Sequence, residues 1–495
     1  MNKRCPDTTN IASSEESRPQ ATAQKGDAST VLDGKRMYTV GALRYSLGAL
    51  TAVFIWMLWG DFCTTIYSIV WNNFLPLYLH DLHASNTLIA FVGSGIGGAC
   101  NVLLLPNLSI WSDRHRGSWG RRIPFLFWSA PVVALSLIGT GYALDIGGWL
   151  HGLGPLRVFS TTGIALVVVV VMVLAAAISQ MILVSIYQFL MRDVVPQEVM
   201  AWFLTLFRVV GVVAGSAFSW FFFHYIVAHP KILCVSAGLL FLTSFMLICW
   251  RVREGDYPPP SPQLEQGVFR RMRADYLRYF HELFSVPIYR NYVFVFILVL
   301  GSNACSTFAV LFGTKTLGIG ADDYGKVLAA ATAVSGIIYV PIGYLCQHWH
   351  AIGVVLISLA LTAVGQAALY FFVWGRTGWL VYSVATALPV VGWALGSFVV
   401  TMMLFPAEKF GQFSSSLNAI GYGSLVVTSY LVGRCMEPFG DDYRMAFLIS
   451  FVFFAAAIVP MVQVYRGWKR HGGPDNYIPP LPKAMRRSRL PVVGE

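Results

Sequence analysis

Asp61 is the residue from which chemistry can be argued first. Between Leu47 and Leu79 it is the one Asp, Glu, Lys, Arg or His in an apolar run long enough to cross a bilayer. An ionisable residue deep in such a run costs about 2.5–3.5 kcal/mol on insertion scales, so it is kept for a task. Asp61, Thr65, Ser68 and Asn72 follow at spacings of four, three and four, which puts them on one helix face. A polar stripe of this kind suits the wall of a watery cavity, where a carboxylate can take up and release a proton. The same acid would also fit a permanent structural pair. Arg208 lies at similar depth in the fifth apolar run. It can pair with Asp61, donate to solute hydroxyls through its several N–H groups, or stretch its charge to the membrane surface.

The other polar residues inside apolar runs are neutral. Gln180 and Gln188 recur with Arg192 at spacings of eight and four, and Trp393, Ser397 and Thr401 recur every four residues. Asn303, Gln366 and Asn418 interrupt later runs. Amides, hydroxyls and an aromatic face are what a polyol or sugar needs: hydrogen bonds to its hydroxyls and apolar contact with its ring. Thr65, Ser68, Asn72, Gln180, Gln188, Asn303, Gln366, Trp393 and Asn418 are therefore the candidate solute-binding residues. Their alternative use is to hold helices together by hydrogen bonds.

Other chemistries find no support. Gly93-Ser-Gly-Ile-Gly-Gly98 has the spacing of a dinucleotide fingerprint, but it lies inside an apolar run without a preceding strand. Its small residues fit close helix packing instead. The eight cysteines show no CxxC spacing, and His348 and His350 stand alone, so neither a disulfide, a metal site nor a cofactor is expected. No nucleophile, acid and base constellation suggests an enzyme. The net charge of +11 does not point to nucleic acid, because the basic residues sit in links and tails.

The elements that must position these residues are helices in a membrane. The chain of 495 residues is 56% hydrophobic and 12% charged, against roughly 25% charged in ordinary soluble proteins. Twelve apolar spans are predicted, from 48–79 to 444–466, in an all-α membrane protein built of two six-helix bundles, 48–251 and 290–466. Of the 35 Lys and Arg, 27 fall in the tails and in alternate links on the same side, and 7 in the opposite links. This bias places both termini in the cytoplasm, in a bacterial inner membrane or a plasma membrane. Residues 1–47 are polar and predicted disordered. The linker 252–289 carries Phe269, Met272, Tyr276, Phe280 and Phe284 at helical spacing among arginines, which predicts a basic amphipathic helix on the membrane surface. Residues 467–495 form a basic cytoplasmic tail.

The two halves carry matching punctuation. Pro106 precedes Asp113 by seven residues, and Pro341 precedes His348 by seven. Gly211 follows Pro196 by fifteen, and Gly421 follows Pro406 by fifteen; Arg208 and Asn418 both stand twelve residues after those prolines. Duplicated bundles imply alternating access around a site between them.

The link after the second span, Ser112-Asp-Arg-His-Arg-Gly-Ser-Trp-Gly-Arg-Arg-Ile-Pro-Phe125, resembles the loop between spans two and three of the major facilitator superfamily. It is closer to the Ser-Asp-Arg…Arg-x-Gly-Arg-Arg-x-Pro-Phe form of sucrose/proton symporters, among the glycoside–pentoside–hexuronide-type carriers and related solute carriers. The superfamily's first glycine is Ser109 here. The resemblance covers 48–466. It implies proton-coupled transport of a sugar such as the disaccharide sucrose, with Asp61 as a coupling residue; Arg208 is the second coupling candidate by its similar depth, and a monomer is the expected working unit. The resemblance also implies a conformational latch in which Asp113, with Arg114, Arg121 and Arg122, meets the start of the eleventh span near Gly411. The second-half copy, Gln347-His-Trp-His350, lacks the Asp-Arg pair, so the latch is expected on one side only. A carrier or exporter of another solute, or a transporter-shaped sensor, would share this fold.

Overall fold

The computed structural model describes residues 30–32, 35–40, 43–115, 117, 119–153, 157–255, 278, 280–406 and 409–480. The first half contains α1 (Leu47–Asp81), α2 (Asn86–Ala90), α3 (Ile96–Arg114), α4 (Ile123–Gly141), α5 (Ala143–Gly152), α6 (Thr161–Val194), α7 (Met200–Phe221), α8 (Tyr225–Ala228) and α9 (Pro230–Arg251). The second contains α10 (Pro287–Ser306), α11 (Ala309–Leu311), α12 (Ala321–His348), α13 (Ala351–Phe372), α14 (Arg376–Leu404), α15 (Phe410–Met436), α16 (Arg444–Arg470) and α17 (Gly473–Asn476). π-Helical turns, Phe91–Gly95 and Phe312–Thr316, join α2 to α3 and follow α11.

Local chemistry sets the helix starts. Ser46, Ser85 and Ser160 accept the N–H of the residue three further on, at 3.3, 3.2 and 3.0 Å, as N-caps do. Pro124, Pro230 and Pro287 stand in the first turns of α4, α9 and α10, where the missing N–H costs nothing. Eleven of the described helical segments are long and apolar enough to cross a membrane. The twelfth expected span, α15, has 27 residues but is rich in serine and glycine.

The two halves pack alike. α1 lies on α7 and α9, α4 on α6 and α9, and α3 on α6; in the same order α10 lies on α15 and α16, α13 on α14 and α16, and α12 on α14. The halves meet along two seams, α7 with α12 and α15 with α2 and α3. One continuous apolar core joins both halves at the end away from the termini, where Leu79 and Ile226 share it with Phe308, Phe312 and Tyr443. At the terminal end the second half keeps a separate core around Tyr289, Phe405, Phe413 and Trp468. The halves are thus closed at the far end and parted toward the termini.

Two stretches differ from expectation or fall outside it. Within the tail expected to be disordered, β1 (Thr30–Leu32), β2 (Lys35–Val40) and β3 (Leu43–Tyr45) pair as an antiparallel meander, with Thr30 opposite Met37 and Tyr38 opposite Tyr45. The β-favouring residues Val31, Tyr38, Thr39 and Val40 account for it. Most of the expected amphipathic helix, including Phe269, Met272 and Tyr276, lies outside the described residues.

Candidate functional site

Asp61 sits at the turn of α1 that crosses α6. Its neighbour Gly60 makes that crossing possible: a Cβ there would lie 2.6 Å from the Tyr187 Oη and 2.8 Å from Ile248 Cδ1. The Tyr187 hydroxyl donates to the carbonyl of Met57, so α6 is pinned one turn below the acid. On the other side α7 approaches through Gly211, whose Cβ would lie 3.2 Å from Asp61 Oδ2 and 3.6 Å from Thr65 Oγ1. Small residues on α1 and α7 therefore let helices close around the carboxylate. Asp61 is only 8% exposed, and that exposure faces a central cavity.

The cavity has a volume of about 520 Å³. Asp61, Thr65, Ser68, Asn72, Gln180 and Gln188 all line it, on α1 and α6. An adjoining lobe of about 330 Å³ shares Ser68, Asn72 and Gln180 and adds Tyr67, Trp71 and Tyr422. The Tyr67 and Trp71 rings stack at 5.8 Å. The buried amide oxygen of Gln180 has no hydrogen-bond partner among the described residues. Such an acceptor is costly to leave unmade and is available to a hydroxyl donor in the cavity. Thr332 and Leu328 on α12 supply the second half's part of the wall.

The remaining candidates lie elsewhere. Arg208 is one turn before Gly211 on α7, with its guanidinium 5.3 Å from the Tyr339 ring centroid across the seam. It forms no ion pair with Asp61 among the described residues. Asn303 is exposed on α10. Gln366 is half-buried on α13, with its amide oxygen unpartnered among the described residues. Trp393 packs within the second half, 5.7 Å from the Phe296 ring. The Asn418 amide donates to Ser414 O of its own helix at 2.9 Å. None of the four lines the central cavity or its adjoining lobe. At the Asp61 level the second half carries Leu300: a Cβ on Gly421 would lie 2.6 Å from its Cδ2, as a Cβ on Gly211 would meet Asp61.

The charged link of the first half is built into its own bundle. Asp113 and Arg114 form the last turn of α3. Arg121 and Arg122 reach Asp193, at the end of α6, at 2.8 and 3.3 Å. Arg122 also donates to Ser112 and lies 4.9 Å over Phe189. Glu254, just past α9, accepts the backbone N–H of Arg121, Arg122 and Ile123 at 2.9, 2.7 and 2.7 Å. Gly411, in the first turn of α15, faces open space. The side chains of Asp113 and Arg114, expected to meet the start of α15 near Gly411, lie outside the described residues. In the second half, His348 ends α12 and turns its Nδ1 to Tyr344 O at 3.0 Å.

Nothing in the sequence marks Tyr187, Thr332, Asp193 or Glu254 for these contacts. Tyr187 is an aromatic in an apolar helix, and Glu254 is a charge beside other charges after a span. Only contacts more than 70 residues apart in sequence give them a role. Among the described residues no group of His, Cys, Asp or Glu could hold a metal ion.

No protein-family model matches the sequence, and a search of curated proteins finds no match. Solved structures do match. The nucleoside transporter NupG is similar with a TM-score of 0.60 at 11% identity, over 85% of this chain and 100% of that one. A bacterial homologue of the iron transporter ferroportin, in an inward-facing state, gives 0.59 at 17% identity, over 85% and 99%. A bacterial homolog of the human lysosomal transporter Spinster, inward-facing and unoccupied, gives 0.60 at 12% identity, over 88% and 98%. At these identities the likeness shows the fold: an all-α, two-bundle major facilitator fold.

Proposed function

We propose that this chain is a secondary active transporter that carries a sugar, a disaccharide such as sucrose being the first candidate, together with a proton. The observation that carries this reading is the cavity between the halves, where Asp61 stands among Thr65, Ser68, Asn72, Gln180 and Gln188. One acid among hydroxyls and amides can bind a proton and a polyhydroxylated solute side by side. The Tyr67 and Trp71 rings offer an apolar face to a sugar ring. The fold supports alternating access, with the cytoplasm on the side of the termini.

In the proposed cycle, Asp61 takes a proton and the solute while the cavity faces outward. Closing the cavity around a bare carboxylate would strand a charge away from water; the proton neutralises it. When the halves part toward the termini, water reaches Asp61 and the proton and solute leave. Arg208, one turn from Gly211, is then the counter-charge available to the carboxylate during the empty return. The chain works as a monomer in this scheme, since both walls of the cavity come from one chain.

Asp61→Asn tests it in proteoliposomes. The variant should lose accumulation of labelled sucrose driven by a proton gradient while retaining exchange of solute across the membrane. Unchanged uphill accumulation would sink the coupling role. A panel of sucrose, maltose, glucose and a nucleoside addresses the solute. A nucleoside is the second reading, favoured by the aromatic pair beside the amides and by the fold of NupG. Export, and a sensor that binds without flux, are separated by the direction and presence of uptake.

A further inference from the structure

A basic pocket of about 560 Å³ lies at the terminal end of the second half, away from the central cavity. Its walls are the first turn of α10, the last two turns of α16 and the segment that turns back after α16. Arg290 comes from α10, Gln463, Arg466 and Arg470 from α16, and His471 and Pro480 from the returning segment. Arg466 and Arg470 are four residues apart and share a helix face, where like charges repel. Arg290 adds a third charge from the neighbouring helix. Among the described residues no Asp or Glu lines this pocket, and none of the three arginines forms an ion pair. Glu282, the acid just before the pocket's Ser285, is already held by Lys409 at 2.6 Å and Arg278 at 3.1 Å.

The pocket is built, not left over. The Tyr289 hydroxyl donates to Pro480 O at 2.9 Å, and the Tyr477 hydroxyl to Leu404 O at 3.2 Å. Ile478 N–H donates to His471 O at 3.1 Å. The chain reverses at Gly472, with φ +109°, where a Cβ would strike the Asn476 carbonyl. These bonds hold the returning segment as a fixed wall. Depth favours a membrane ligand. α16 has 27 residues, about 40 Å at 1.5 Å per residue, against a hydrocarbon core of about 30 Å. Its last turns therefore reach the headgroup layer.

We propose that this pocket binds a phosphate oxyanion. Arg466 and Arg470 present their N–H forks to its oxygens, the geometry that guanidinium groups match best, and Arg290 closes a third side. The phosphate of an anionic lipid headgroup and free inorganic phosphate share this chemistry, and the test separates them. The full chain in detergent is melted with added phosphatidylcholine, with phosphatidylglycerol, or with inorganic phosphate at matched ionic strength. Binding to the folded state raises Tm with the logarithm of ligand concentration. Such a rise with phosphatidylglycerol alone assigns a lipid site; an equal rise with inorganic phosphate assigns a free-anion site. The rise should vanish in Arg466→Gln/Arg470→Gln and persist in part in Arg466→Lys/Arg470→Lys, which keeps the charge but loses the fork. No rise with either phosphate source, or an undiminished rise in the glutamine variant, overturns the proposal. Should the glutamine variant fail to fold, native mass spectrometry of the wild-type chain decides between the outcomes. Adducts of phosphatidylglycerol or phosphate retained over phosphatidylcholine support the site, and their absence overturns it.

Discussion

At Gly60 the absence of a side chain decides where Asp61 can stand. The Tyr187 hydroxyl and Ile248 occupy the space that a methyl group would need, at 2.6 and 2.8 Å. Gly60→Ala should therefore force α1 and α6 apart, at a cost of about 1–3 kcal/mol, as overpacked cores do. The measurement is a lowered Tm together with lost transport. Tyr187→Phe alone removes one hydroxyl donation to the Met57 carbonyl, worth about 1 kcal/mol. Combining the two should recover part of the loss, because the second change removes the atom that the first collides with. Full additivity would mean that the collision is not the cause. This site was half legible in the sequence. A lone carboxylate in an apolar run announces itself, and so does its stripe of Thr65, Ser68 and Asn72. Tyr187 does not, since nothing in an aromatic residue's spacing distinguishes a core ring from one that braces an acid. The polar residues Asn303, Gln366 and Asn418 have the right chemistry but stand away from the cavity, because composition gives no azimuth around a helix.

The start of α4 depends on a carboxylate brought from another helix. Arg122 at its N-cap makes no side-chain cap bond of its own. Glu254 supplies the acceptor for three successive N–H groups, where a negative charge also meets the positive end of the helix. Gly120, at φ +96°, leaves room for it: a Cβ there would lie 2.8 Å from the Glu254 carboxyl carbon. Glu254→Ala should cost about 2 kcal/mol, in the range for hydrogen bonds to charged groups, and Glu254→Gln less. Hydrogen exchange is the specific check: the amides of Arg121, Arg122 and Ile123 should exchange faster in Glu254→Ala while those in mid-α4 do not. Unchanged protection at those three amides would remove Glu254 from this role. Helix positions follow closely from apolar runs, serines and prolines, all of them local signals. The π-helical turn Phe91–Gly95 does not. It overlaps the glycine-rich run 93–98, where Gly93 meets Thr307 and Gly98 meets Tyr422 across the seam. Close packing is the expected use of small residues there, but the altered winding answers to a partner about 200 residues or more away.

For the whole molecule, the two-bundle plan is readable because prolines, glycines and charged links repeat at matching places. Which end is closed is not, since one sequence must serve both states. The far end is held by contacts between halves: Lys315 to Asp81 at 3.0 Å, His80 to Asp441 at 3.1 Å, Asn86 to Gly440 O at 3.1 Å and Thr87 to Glu437 at 2.7 Å. Exposed pairs of this kind are each worth under about 1 kcal/mol, so they add modestly to the apolar core that the halves share there. Glu437 adds a pH dependence. The Thr87 hydroxyl and backbone N–H hold its carboxyl below its ordinary value of 4.5, with Arg434 helping. A carboxylate lowered only when the halves touch stabilises the closed end above that value, and this contribution is lost as the pH falls through the closed-state value. Acidification below about pH 4.5 should therefore open the far end, and Glu437→Gln should be partly open already at neutral pH. Spin labels at the exposed positions Leu153 and Phe439, one on each half, would report this as a growing long-distance population. Asp81, Asp441 and His80 face the same seam, so the difference between wild type and Glu437→Gln isolates the share of one carboxylate. If the two show the same distances at every pH, Glu437 does not hold the halves together, and the closure rests on Lys315, His80 and the shared apolar core.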